Sequence, residues 1–156
     1  MSGGISARIF TDGASRGNPG PAGAGAIIES GDGAVEDEIS EYIGERTNNA
    51  AEYIALILAL QRAYDLRKRE IELYLDSQLV VEQLLGKYKV KSSALKPLYE
   101  KAKELISRFD SASVSHVHRA ENARADELAN DAIDKHLRGE VRLPNTPDIS
   151  EQRGLF

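Results

Sequence analysis

The stretch Thr11-Asp12-Gly13-Ala14-Ser15-Arg16-Gly17-Asn18-Pro19-Gly20-Pro21-Ala22-Gly23 separates two β-prone runs, Ile5 to Thr11 and the small-residue apolar run Ala22 to Ile28. Clustered glycine and proline mark a tight turn, so the segment predicts strand, loop and strand, with Asp12 closing the first strand. Glycine-rich loops also cradle phosphates. No Gly-Lys-Ser/Thr closes this one, however, and Gly23 and Gly25 lack the third glycine of a dinucleotide fingerprint. The Gly17, Gly20, Gly23 spacing is collagen-like over too short a span to matter. Taken alone, the segment implies a turn and close strand packing.

Downstream, Gly31 and Gly33 turn the chain into Val35 to Ile43, whose imperfect alternation fits a third strand with one wet face. Three antiparallel strands therefore open the domain. Thr47, Asn48 and Asn49 are helix-capping types, and Ala50 to Tyr64 is apolar almost all round, which predicts a helix buried on most sides. Ile71 to Leu75 reads as a short strand stopped by Asp76, and Ser77 to Leu85 as a short helix. Ser93 to Phe109 reads as a longer helix with Pro97 in its first turn. Val114 to His118 is the last expected strand. Asn122 is the expected cap of a helix from Ala123 to about Leu137, with Gly139 as its stop. Strands followed by alternating helix and strand predict an α/β domain, a mixed sheet covered by helices.

With 156 residues, 41% of them hydrophobic, the chain can bury one sizeable core, and no composition break divides it. One domain over residues 1–139 is expected, followed by a tail over residues 140–156, irregular or packed along a sheet edge, that bears Pro144 and Pro147. No run of about 18 apolar residues occurs, and Met1 to Ser6 lacks the charged-then-apolar order of a signal peptide. Neither membrane span nor secretion is indicated, and a cytoplasmic monomer is expected. The absence of cysteine removes disulfides, thiolate nucleophiles and Cys-ligated zinc, leaving oxygen or the three histidines to hold any metal.

A net charge of −5 argues at first against a phosphate-rich partner. The average hides an asymmetry. Glu29, Asp32, Glu36, Asp37, Glu38, Glu41 and Glu45 make one segment acidic, whereas Lys87, Lys89, Lys91, Lys96, Lys101 and Lys103 cluster with only Glu100 among them. These lysines are either a solvated helix face, as charge runs usually are, or a basic patch for phosphates.

Four acids fall where elements should begin or end: Asp12, Glu52 near a helix start, Asp76 closing a second strand, and Asp126 on the last helix. Each has a local explanation. Asp12 could start a turn, Glu52 could complement a helix N-terminus, Asp76 could cap a helix, and Asp126 could simply be solvated. Together they are also the donor type that a hard Mg²⁺ ion takes, a few carboxylate oxygens completed by substrate phosphate. Crowding them without a cation should raise at least one pKa, since like charges disfavour joint ionisation.

The opening segment resembles the first motif of type 1 ribonuclease H. Three further blocks follow in the family's order: Thr47-Asn48-Asn49-Ala50-Ala51-Glu52, then Tyr74-Leu75-Asp76-Ser77-Gln78-Leu79-Val80, then Arg119-Ala120-Glu121-Asn122 leading to Ala125-Asp126-Glu127-Leu128-Ala129. The likeness covers Ile5 to about Leu137. It implies a ribonuclease H-like α/β fold, a mixed five-stranded sheet of three antiparallel then two parallel strands flanked by helices. It also implies catalytic and metal-binding roles for Asp12, Glu52, Asp76 and Asp126, with two Mg²⁺ ions per site, or Mn²⁺ in their place. The implied reaction is hydrolysis of the RNA strand of an RNA/DNA hybrid to 5′-phosphate and 3′-hydroxyl ends. Such chemistry suits paired divalent ions roughly 3.5 to 4 Å apart, one activating water and one stabilising the departing oxygen. Substrate contacts carried over by the resemblance are Asn18, Asn48, Asn49 and Gln78 along the minor groove, where the 2′-hydroxyl separates RNA from DNA. Thr47 and Arg46 are the candidates for a DNA phosphate.

Several features depart from the family pattern. The family's phosphate-pocket arginine falls at Glu45, and the basic helical protrusion of some members is reduced to Lys87, Tyr88, Lys89 and Lys91, with no Trp. Hybrid binding is therefore expected to be weaker and more salt-sensitive. The histidine-bearing loop of other members is also missing, because His118 leads straight into Arg119. His116 and His118 share strand parity with Val114 and are expected to be satisfied strand histidines. Arg119 or Arg124 is the candidate for metal exchange or phosphate contact, and His136 is expected to be a dipole-compatible surface residue. Other classes stay open. A related nuclease acting on other nucleic-acid duplexes is the alternative; a polynucleotidyl transferase or resolvase would normally carry extra segments, a non-catalytic hybrid-binding module is disfavoured by four intact acids, and a sugar- or nucleotide-phosphate-binding protein is disfavoured by the missing phosphate loop.

Overall fold

The computed structural model describes residues 4–139, so the expectation for the tail over 140–156 lies outside the described residues. Three strands, β1 (Ser6–Ser15), β2 (Gly20–Ser30) and β3 (Val35–Arg46), form an antiparallel meander, and α1 (Asn48–Asp65) returns the chain to β4 (Glu70–Leu75). Two helices, α2 (Gln78–Leu84) and α3 (Lys96–Ile106), lead to β5 (Ser111–His116). A 3-10 turn over Arg119–Asn122 then opens into α4 (Ala123–Leu137). β4 lies parallel to β1, and β5 parallel to β4, giving one sheet in the order β3-β2-β1-β4-β5. The mixed five-stranded α/β fold expected from the sequence is the one observed.

The apolar residues of α1 wrap nearly its whole circumference, so it is buried between the sheet and α3, with Tyr53, Ile54, Leu56, Ile57 and Leu60 all inside. Its cap is Thr47, whose hydroxyl accepts the Ala50 N–H at 3.2 Å. Tyr53 carries a hydroxyl into this core and donates it to Gln83 Oε1 at 2.6 Å, which removes the penalty for burying it. Successive β2 residues point to opposite faces. Ala24 and Ala26 join the α1 core, while Gly23 and Gly25 lie under α4. A Cβ at either glycine would come within 2.1 Å of a carbonyl oxygen of α4, that of Ala129 or Ala125. With Ala125, Ala129 and Ala132 buried on the helix side, the two backbones pack almost in contact.

Several expected boundaries shift, β3 running on to Arg46, α3 ending at Ile106 and β5 starting at Ser111 among them, and one expected cap is absent. Asp12 lies inside β1 rather than at its end, because pairing with β2 continues to Ser15↔Ala22 while pairing with β4 stops at Thr11↔Leu75. β5 ends at His116, not His118, because the His118 N–H turns to Glu121 Oε1 at 3.3 Å and begins the 3-10 turn. α3 starts at Lys96, later than the expected Ser93, because Ser92 Oγ accepts the Leu95 N–H at 3.2 Å and closes a separate turn first. Asn122 makes no side-chain cap on α4. Its amide donates instead to Thr11 O at 2.8 Å in the buried interior, fastening the start of α4 to β1.

The glycine notch carries a testable consequence. Gly25→Ala should cost about 1–3 kcal/mol of stability, the usual cost of overpacking, and so lower the urea midpoint without changing the denaturant slope. Urea unfolding followed by circular dichroism measures it, and an unchanged midpoint would show that α4 can move aside freely.

Candidate active site

Three of the four acids converge: Asp12, Glu52 and Asp76 each place a carboxylate oxygen within 4.8 Å of the others. The strand ladder explains two of them. Thr11↔Leu75 is the last parallel pair between β1 and β4, so Asp12, still within β1, and Asp76, just past the end of β4, follow it side by side. Asp76 then passes to α2, whose cap is Ser77. Glu52 arrives from α1 because α1 lies directly on Gly13. A Cβ there would stand 2.2 Å from the Ala51 carbonyl and 2.4 Å from Glu52 N, and the bare Gly13 N–H donates to Glu52 Oε1 at 2.6 Å. Gly13, which in the sequence reads only as part of a turn, is therefore a site residue. Its signal is a glycine directly after a strand acid.

Asp126, in the first turn of α4, stands outside that mutual trio yet near enough to Asp12 to raise its pKa. Its own side chain and carbonyl accept from Asn130 Nδ2, at 3.2 and 3.0 Å. Behind the site, Asn122 Oδ1 and Thr11 Oγ1 are buried with no hydrogen-bond partner.

Burial above all, then the charges of Glu52 and Asp76, then the contact and charge of Asp126, push the Asp12 carboxyl up to about 10. Burial likewise pushes Glu52 up to about 8, against the opposing pull of the Gly13 N–H; Asp76 adds to the rise, while Asp12 and the Arg119 charge oppose it. The expected pKa elevation is present. An all-oxygen donor set that clings to protons for want of positive charge fits a hard divalent cation.

The residues assigned to substrate gather partly at one edge. Asn18 Oδ1 accepts the Asn48 N–H at 3.0 Å, which brings the β1–β2 loop to the start of α1, where Thr47, Asn48 and Asn49 are exposed. Gln78 is exposed at the start of α2, two residues beyond Asp76. Arg46 is half-buried and turned back, its Nε donating to Ile43 O at 2.9 Å, and burial lowers its pKa.

Among the secondary candidates, His116 meets Asp76 O through Nε2 at 3.2 Å, a satisfied histidine that touches the site. Arg119 lies close enough for its charge to act on Glu52. Arg124 is already engaged: it grips Glu38 at 2.9 and 3.0 Å and also Glu127, tying α4 to β3. His136 is more than a surface residue, since its ring stacks on Tyr42 with centroids 3.6 Å apart and planes 7° apart.

Residues 10–132 match the family model described as "Reverse transcriptase-like". Over 125 residues the chain is 50% identical to the "Ribonuclease HI" of Halobacterium salinarum, covering 80% of this chain and 63% of that protein. It is 48% identical over 127 residues to the "Bifunctional protein Rv2228c" of Mycobacterium tuberculosis, covering 81% of this chain but 35% of that one. The chain thus spans less than two thirds of the length of either. The crystal structure of LC11-RNase H1, from compost, in complex with an RNA/DNA hybrid superposes with a TM-score of 0.80 at 46% identity, covering 84% of this chain and 99% of that one.

The raised carboxyls set the pH dependence of the metal-free protein. Between the ordinary carboxylate range and about 10, the native state binds more protons than the unfolded chain, so this group's contribution to stability falls as pH rises. Asp12→Asn removes that burden. In chelator, its thermal midpoint should exceed the wild-type value by a margin that grows from pH 5 to pH 9; calorimetry showing a constant margin would contradict the assignment.

Proposed function

The chain belongs to the ribonuclease H family, and from that premise we propose that it is a metal-dependent endonuclease hydrolysing the RNA strand of RNA/DNA hybrids, leaving 5′-phosphate and 3′-hydroxyl ends. The observation that carries the proposal is the convergence of Asp12, Glu52 and Asp76, with Asp126 near Asp12. The relative solved with a hybrid supports the substrate class.

Two Mg²⁺ ions, or Mn²⁺, held by Asp12, Glu52, Asp76 and Asp126, would supply Lewis acidity that makes water nucleophilic near neutral pH and neutralises the departing oxygen. The protein's share is placement. Asp12 and Asp76 are fixed by the strand ladder, Glu52 by the Gly13 N–H, and Asp126 by α4. Positive charge in the cluster would favour the ionised forms of Asp12 and Glu52, so loading should release protons.

For selection of RNA, a 2′-hydroxyl both donates and accepts, which side-chain amides can match. Asn18 spends its carbonyl on Asn48 and retains its NH₂ as a donor, while Asn48, Asn49 and Gln78 are exposed around the cluster. Thr47 and Arg46 remain our candidates for the DNA phosphate. Lys87, Lys89, Lys91, Lys96 and Lys103 are exposed and would attract the hybrid by charge. We assign the catalytic domain to residues 1–139 of a monomeric, cytoplasmic enzyme; the lack of cysteine suits a reducing compartment. Among the described residues no helix is long and apolar enough to cross a membrane.

Incubation of the protein with labelled RNA/DNA hybrid, duplex DNA, single-stranded RNA and duplex RNA, with Mg²⁺, Mn²⁺ or chelator, tests the proposal. Only the RNA strand of the hybrid should be cut, only with metal, and Asp12→Asn should abolish turnover while keeping a native circular dichroism spectrum. Cleavage in chelator would refute the mechanism, and cleavage of another duplex alone would refute the substrate. Gly13→Ala should cut turnover by about 100-fold or more, because a displacement on the order of 1 Å at Glu52 is enough. A Gly13→Ala enzyme of wild-type rate would remove Gly13 from the site.

A further inference from the structure

Asp126 stands beside the mutual trio of acids rather than within it. Its orientation is held from α4 itself. Asn130, one helical turn further along α4, donates Nδ2 to Asp126 Oδ1 at 3.2 Å and to Asp126 O at 3.0 Å. The carbonyl end of that amide is fixed in turn, because Arg16 Nη2 donates to Asn130 Oδ1 at 3.1 Å and, at longer range, to Asn130 O at 3.5 Å. Arg16 is steadied at its other nitrogen by Asp134 Oδ1 at 2.6 Å. A chain of contacts thus runs from Asp134 through Arg16 and Asn130 to Asp126.

Arg16 stands in the β1–β2 loop that carries Asn18, and this loop is stiff. Its Arg16 N–H donates to Pro21 O at 2.8 Å, Ser15 Oγ donates to Arg46 O at 2.7 Å, and a Cβ on Gly20 would meet Arg16 O at 2.4 Å. Through Asn18 the loop holds the start of α1, and through Arg16 it holds the middle of α4. These are the two helices that deliver Glu52 and Asp126.

We infer that Asn130 and Arg16 are positioning residues for Asp126: the Asn130 amide aims the carboxylate at the cluster, and the Arg16 guanidinium locks that amide and ties it to the Asn18 loop. The inference rests on the metal-dependent reading above. The chemistry of the donors suits the task. A neutral amide steadies a carboxylate without setting a competing positive charge against a cation, and the guanidinium is kept one residue further back. Stability alone does not account for the arrangement, because the Arg16–Asp134 pair is 38% and 43% exposed and pairs of that kind contribute little.

Calorimetric titration of the full chain with Mn²⁺, hybrid cleavage over a Mg²⁺ series, and thermal midpoints would compare wild type with Asn130→Ala, Arg16→Ala, the double variant and Arg124→Ala. Asn130→Ala should weaken Mn²⁺ binding about tenfold and raise the Mg²⁺ needed for half-maximal cleavage by a similar factor, the low end for loss of a partner behind a metal ligand. Arg16→Ala should cost about threefold, and the double variant no more than Asn130→Ala alone, since both act on one carboxylate. Arg124→Ala, which loosens α4 from Glu38 without touching Asp126, should lower the thermal midpoint and leave Mn²⁺ affinity unchanged. Affinity of Asn130→Ala within about twofold of wild type overturns the inference, and so does equal weakening by Arg124→Ala, which would make Asn130 a general anchor of the helix. A wild type that neither binds Mn²⁺ nor cuts hybrid removes the proposed function and this inference together. Normal wild-type cleavage with an indifferent Asn130→Ala removes the inference alone.

Discussion

Carboxylate oxygens held within 4.8 Å of one another repel, by about 3 kcal/mol per ionised pair at an effective dielectric near 20. The surrounding fold exists in tension with that repulsion. Asp12 and Asp76 cannot separate without breaking the β1–β4 ladder, whose side chains Ile9, Leu73 and Leu75 are buried. Glu52 cannot swing out without moving α1, the most buried helix of the domain and the centre of its apolar core. The Gly13 N–H partly offsets the local cost, because a short hydrogen bond to a carboxylate stabilises its charged form.

The α4 side of the site is held differently. There the fold uses polar links in series: Asn122 to Thr11 O, Ser40 Oγ to Leu128 O at 2.6 Å, and Arg124 to Glu38. Most of these contacts are part-exposed, so each contributes modestly. Their sum fixes the orientation of a helix that already rests on Gly23 and Gly25. Thr11 Oγ1 and Asn122 Oδ1, buried without partners behind the cluster, are a local departure from polar satisfaction of the kind that proteins tolerate beside functional sites.

Periodicity made the fold legible. The nearly all-apolar run Ala50 to Tyr64 could only be a central helix, and Gly31, Gly33 and Gly139 marked turns and a stop where the chain does adopt positive φ at 33 and 139. The acids were legible because they fall at element boundaries in blocks that resemble one family. What stayed hidden were partnerships across long separations. Asn122 looks like a cap in any local window, yet its partner lies 111 residues earlier; Gly13 looks like a turn glycine, yet its contact is Glu52, 39 residues later. The further partnerships of Arg124 with Glu38 and of His136 with Tyr42 stayed hidden for the same reason, since both partners lie far away in sequence on β3.

Register ties these observations together. Because side chains alternate across a strand, a one-residue slip of β4 against β1 would move Asp76 out of line with Asp12 and turn its neighbours to the wrong face. The acids cannot set that register, since they oppose their own juxtaposition. It is set by Ala7↔Ile71, Ile9↔Leu73 and Thr11↔Leu75, whose side chains lie buried beneath α1. The placement of the cluster is therefore a product of the hydrophobic core. A substitution deep in β4 that allowed slippage would disable the site without touching one of its carboxylates.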